Sequence, residues 1–89
     1  MRIVFDPADA QANLRRHALD LADAELVFAG ITYTVEDTRG EFAELRYVTL
    51  GLLAEVVVAI AHTERRDEVR VISMRPATRN EQAIYFENI

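Results

Sequence analysis

The 89-residue chain has no cysteine and no lysine, and only three glycines. Without cysteine there are no disulfide staples and no thiolate metal sites, which fits a reducing compartment. Three glycines are too few for a phosphate-cradling glycine loop, and no P-loop, GxGxxG or GxSxG spacing occurs. The two histidines are far apart in sequence, without the spacing that a metal site needs, so no metal and no cofactor is expected. The longest apolar run, Val56 to Ala61, is far too short to span a bilayer. The N-terminus lacks a basic region followed by an apolar run, so no signal peptide is expected and the chain reads as cytoplasmic.

What is present fits one small domain, residues 1–89, with half of its residues hydrophobic and a modest core. The net charge of −5 argues against a simple nucleic-acid-binding protein, but the charge is uneven. The acidic excess lies in the first half, with nine acids against four arginines in residues 1–45, whereas residues 46–89 balance six against six. Every basic side chain is arginine, the better fork for phosphate or carboxylate. Five of the ten lie within His62–Arg79, making this stretch the first place to look for an anion site.

Taken in order, Ile3-Val4-Phe5 reads as a strand, and Asp6-Pro7 as an N-cap with proline at the first helical position. The helix ends in Arg15-Arg16-His17, where cations meet its C-terminus favourably. Asp20 caps a second helix that Gly30 stops. Strands follow over Ile31–Val35, Arg46–Leu50, Val56–Ala61 and Val69–Met74, with Gly51 marking an end or a bulge and Glu64–Asp67 a turn. The Val56–Ala61 run does not alternate, so both of its faces should be covered. Thr78-Arg-Asn-Glu81 matches a capping box opening a last helix. The predicted class is α+β: a small, mostly antiparallel sheet with an N-terminal helix pair and a C-terminal helix, the helices on one side.

By the two-residue period, Ser73 and Arg75 should share a strand face with Val69 and Val71, and His62 should lie on the neighbouring strand. Glu81 and Tyr85, four apart, share a helix face. Such a gathering suits metal-independent RNA cleavage. A base takes the ribose 2′-hydroxyl proton, arginines steady the phosphate charge, and an acid protonates the leaving oxygen. His62 is a candidate acid or base, and Arg65 and Arg75 are candidate phosphate holders. Arg15, Arg16 and His17 could form a phosphate-contacting cluster. Each group also has a bland role: His62 as a strand-end cap, Arg65 and Arg66 as a solvated turn, Arg16 and His17 as helix-dipole partners, Glu81 as the capping box, Tyr85 as core.

An ordered set of motifs resembles the BrnT toxins of bacterial type II toxin–antitoxin systems. It comprises Phe5-Asp-Pro7, Asn13-Leu14, Arg16-His17, Ala24–Phe28, Glu44-Leu-Arg46, Gly51, His62-Thr-Glu-Arg65, Arg70–Arg75, Ala77-Thr78-Arg79, Glu81 and Tyr85. The resemblance implies a RelE-like fold and a ribonuclease that blocks translation. It also implies a BrnA-type ribbon-helix-helix antitoxin that binds the DNA, in a heterotetramer of two toxins around an antitoxin dimer. Carried over by motif position, catalysis would fall to His62, Arg65, Ser73 and Arg75. RNA binding would fall to Arg16, His17 and Arg79, with Glu64, Glu81 and Tyr85 in support. Phe5 stands where the family usually has Trp, and Ala18 where Gly usually follows the histidine. The acidic balance keeps a second reading open, a catalytically weak binding module that serves as antitoxin partner and co-repressor. Leu52 and Leu53, expected near the surface, would suit such a contact.

Overall fold

A computed structural model describes residues 1–40 and 44–89; Glu41, at the end of the loop expected from Glu36, lies outside them. The elements run β1 (Arg2–Phe5), α1 (Pro7–His17), a 3₁₀ turn (Leu21–Asp23), α2 (Ala24–Phe28), β2 (Tyr33–Glu36), β3 (Tyr47–Leu53), β4 (Val56–Arg65), β5 (Glu68–Pro76) and α3 (Arg79–Glu87). They form one five-stranded sheet of order β1-β5-β4-β3-β2. The strands β2 to β5 pair antiparallel, as expected. The edge strand β1 pairs parallel with β5, which makes the sheet mixed.

Local chemistry sets the helix ends. Asp6 accepts from the Ala8 N–H at 2.8 Å with Pro7 behind it, and Asp20 accepts from Ala22 at 2.9 Å. At the end of α1, Ala18 takes the left-handed conformation (φ 56°), so the turn that glycine would favour is kept with alanine in it. The capping box is complete: Thr78 Oγ accepts from the Glu81 N–H at 3.1 Å, and the Glu81 carboxylate accepts from the Thr78 N–H at 2.9 Å.

The central strand explains the layering. Val58 and Ile60 face Leu21, Ala24 and Val27, together with Val69, Val71 and Met74. Val57 and Ala59 face the other way, with Val48, Leu50, Ala77 and Tyr85. The helices therefore do not share one side. The N-terminal pair covers one face and α3 the other, because a strand apolar on both faces needs two covers. Gly51 lies inside β3 and is neither its end nor a bulge. An added Cβ there would fall 2.6 Å from Val27 Cγ1, so glycine permits the close approach of α2. Leu52 is exposed, whereas Leu53 packs on the core under α2. In the helices, Leu14 and Phe86 are 49% and 59% exposed, and the buried positions beside them are Asn13 and Tyr85.

Two irregularities in β5 position the site. The β1 pairing ends at Phe5–Val71, so β5 from Ile72 onward lacks that neighbour. Asn13 of α1 takes its place: Nδ2 donates to the Met74 carbonyl at 2.9 Å, and Oδ1 accepts from the Met74 N–H at 2.9 Å. The β4–β5 register also slips, from His62–Val71 to Ala61–Ser73, leaving Ile72 as the extra residue of a bulge. The bulge reverses the phase of the strand. Met74 joins Val69 and Val71 in the core under the helix pair, and Ser73 and Arg75 face away from all three. The expected sharing of one face by residues 69, 71, 73 and 75 fails for that reason.

Candidate active site

Beyond the end of β1, the last turns of α1 and the bulged half of β5 enclose a cleft of about 370 Å³. Its chemistry comes from Arg16 and His17 on α1, Ser73 and Arg75 on β5, and Arg46 just before β3. Arg16 is exposed, while His17, Arg46, Ser73 and Arg75 are half-buried. Asn13 holds α1 against β5 here, so the clamp that replaces β1 also fixes the separation of the cleft's two walls.

Arg75 is held from α3. Its guanidinium grips Glu81 with both nitrogens, Nη1–Oε1 at 2.6 Å and Nη2–Oε2 at 3.0 Å. The Arg75 hydrogen bonds, followed by the Thr78 backbone, pull the Glu81 carboxyl down to about 2 against the cost of burial. The same contact raises Arg75 above its ordinary value. Glu81 thus serves the capping box and fixes a permanently charged guanidinium at the border of the cleft.

His62 is not part of this cleft. It follows Val58 and Ile60 in the alternation of β4, so its ring enters the core on the helix-pair side, 1% exposed. Phe28 meets it edge-on at 5.4 Å and Tyr47 stacks on it at 5.8 Å. Nε2 shares a hydrogen bond with Thr49 Oγ1 at 2.7 Å, and Thr49 in turn bonds Thr34 at 2.6 Å. Among the described residues Nδ1 has no partner. Desolvation lowers the pKa of this ring to about 4, leaving it neutral and sealed. The expectation that His62 and Arg75 meet in one open pocket is overturned, because the two side chains lie on opposite faces of the sheet.

The other residues singled out from sequence also separate. Arg65 and Glu64 are exposed at the far end of β4, where Arg65 pairs in register with Glu68, and neither lines the cleft. Arg79 is exposed at the first position of α3. Tyr85 is core, 1% exposed, its hydroxyl donating to the Ile31 carbonyl at 2.8 Å. The sequence reading missed Arg46 as a cleft residue and Asn13 as the clamp. Arg46 precedes a strand in an irregular segment, which offers no periodicity from which to read its direction.

The family model described as the ribonuclease toxin, BrnT, of type II toxin-antitoxin systems matches residues 5–81. The fold is similar to the 1.1 Å crystal structure of the Brucella abortus ribonuclease toxin BrnT, with a TM-score of 0.64 and 25% identity. That likeness covers 89% of this chain and 99% of the other. Comparison with curated proteins gives no match.

Proposed function

Since the chain belongs to the BrnT family of ribonuclease toxins of type II toxin–antitoxin systems, we propose that it cleaves RNA, without a metal, in the cleft between α1 and β5. The observation that carries this reading is the meeting of His17, Arg16, Ser73 and Arg75 around one open cavity large enough for a phosphodiester. The ribose 2′-oxygen attacks phosphorus and the 5′-oxygen leaves, giving a 2′,3′-cyclic phosphate and a free 5′-hydroxyl. One proton leaves the 2′-hydroxyl and one arrives at the 5′-oxygen. His17 is the imidazole with access to the cleft and handles one of them, and water entering the cleft handles the other. Arg75, aimed by Glu81, and Arg16 offset the charge that builds on the phosphoryl oxygens. Ser73 donates a hydrogen bond to one of these oxygens. His62 takes no part in the chemistry and Arg65 stands outside the cleft.

In the cell this activity blocks translation in the cytoplasm. A BrnA-type ribbon-helix-helix antitoxin neutralises it in a heterotetramer and alone touches the DNA. Wild type, His17→Ala and Arg75→Ala, expressed from an inducible promoter and also purified free of antitoxin, test the reading. Wild type should arrest growth and cleave RNA. His17→Ala should cleave about 100-fold or more slowly. Wild-type speed in His17→Ala would remove the histidine from the mechanism. Intact RNA with purified wild type would leave the alternative, a binding module and co-repressor, which the engagement of Arg75 by Glu81 favours.

A further inference from the structure

Among the described residues the α3 side of the sheet is only partly covered, and the remaining part carries mostly charged and polar side chains. Val69 and Val71 are buried under the helix pair, so Glu68 and Arg70 between and beside them face the α3 side. Cross-strand register extends this into rungs. Arg2, Glu68 and Arg65 form one, and Val4, Arg70 and Thr63 form the next. Past the bulge come Ser73 opposite Ala61 and Arg75 opposite Ala59, where α3 begins to cover the face. Thr63 is buried on the floor between the arginines. A groove lined by Glu44, Thr63, Arg65, Glu68 and Arg70 occupies this half-face, and Ser73 and Arg75 of the cleft follow Arg70 on the same face farther along β5.

On a chain of net charge −5, this strip gathers Arg2, Arg65, Arg70 and Arg75, with Glu44 and Glu68 in it and with Asp9 and Glu81 beside it as the partners of Arg70 and Arg75. Glu68 is paired with Arg2, and Arg70 lies 3.8 Å from Asp9. Arg65 makes no ion pair among the described residues. From Glu68 to Arg75 the strand covers about 20 Å, the reach of several nucleotides. Among the described residues no aromatic ring lies on the two outer rungs, so the strip offers charges for a backbone and no platform for bases.

Resting on the proposed RNA cleavage, we propose that this half-face is the track for single-stranded RNA flanking the scissile phosphate, with Arg70 and Arg65 as successive backbone contacts. Recognition along it is by charge and spacing, so it tolerates sequence. An acidic protein segment would match the same charge. RNA is favoured because Arg70 on the strip and Ser73 and Arg75 of the proposed cleavage site follow one another along one face of β5.

The test measures binding of a 12-nucleotide single-stranded RNA, carrying a 2′-O-methyl group on each sugar to prevent cleavage through the 2′-oxygen, against salt concentration. Arg65→Gln/Arg70→Gln should bind about tenfold or more weakly at low salt. Its slope of log affinity against log salt should be shallower by about 1.4, two backbone contacts' worth. Arg65→Lys/Arg70→Lys, keeping the charges, should restore most of the slope, which separates lost contacts from lost folding. Affinity and slope equal to wild type in the glutamine variant would overturn the track and leave the acidic protein segment as occupant. Cleavage of all-ribose RNA by wild type is scored separately. A protein that cleaves but shows no slope change loses the track alone. One that shows the slope change without cleaving retains the track and loses the nuclease reading.

Discussion

Inside the sheet–helix interface the His62 imidazole has one hydrogen bond and no charge, and that combination fixes how the protein responds to acid. Desolvation holds its folded pKa at about 4, below the 6.5 of an exposed imidazole. The unfolded chain therefore takes up the proton first as pH falls. The contribution of neutral burial is full above pH 6.5, declines from there to about pH 4, and is constant below. Its ceiling is about 3 kcal/mol. Glu81, held down to about 2, gives way in a separate and more acidic window, from about 4.5 to 2. Urea midpoints should thus fall between pH 7 and pH 4.5 in wild type, and much less in His62→Leu. Equal slopes in the two proteins would show that other groups set the acid response. The same residue shows what the sequence held. His62 stands two positions beyond Ile60, but the Val56–Ala61 run is apolar on both faces and carries no phase from which to read that its ring enters the core. The catalytic reading rested on the neighbouring strand with Ser73 and Arg75 and on the resemblance to BrnT toxins.

At the scale of elements, the features legible in sequence are those decided by neighbours along the chain. The caps at Asp6 and Thr78 and the order of strands and helices depend on a few adjacent residues and are formed as read, whereas Asp20, read as the cap of the second helix, caps the 3₁₀ turn before it. The parallel pairing of β1 was not legible, because a four-residue apolar strand carries no mark of its partner's direction. Nor was the bulge at Ile72, which has no glycine or proline to announce it. Yet that one extra residue turns Ser73 and Arg75 out of the core and so creates the β5 wall of the cleft. Asn13 is the element that lets this wall stand without a neighbouring strand. Asn13→Ala would leave the buried Met74 N–H and C=O unpaired, a loss of about 2–4 kcal/mol. Thermal melting should show that destabilisation. RNA cleavage measured well below the melting temperature should fall as well, since α1 carries His17 and Arg16. Melting unchanged from wild type would mean that water satisfies Met74 and that the clamp is not structural.

For the molecule as a whole, the formal charge misleads about the surface that matters. Nine of the fifteen acids lie in residues 1–45, whereas Arg65 and Arg70 line the groove and Arg16, Arg46 and Arg75 line the cleft. Salt dependence separates the possible extents of contact. If cleavage draws on Arg16, Arg65, Arg70 and Arg75 together, four single-strand contacts give a slope near −2.8, and kcat/KM on a long RNA should drop about 50-fold from 50 to 200 mM salt. If only Arg16 and Arg75 reach the phosphates, the slope is near −1.4 and the drop about sevenfold. If the uniform charge of −5 governed the encounter, added salt would screen repulsion and kcat/KM would rise. The three cases differ in size or sign, so a single salt titration of cleavage decides among them. A rise, or a fall of less than about threefold, would refute an arginine-driven encounter.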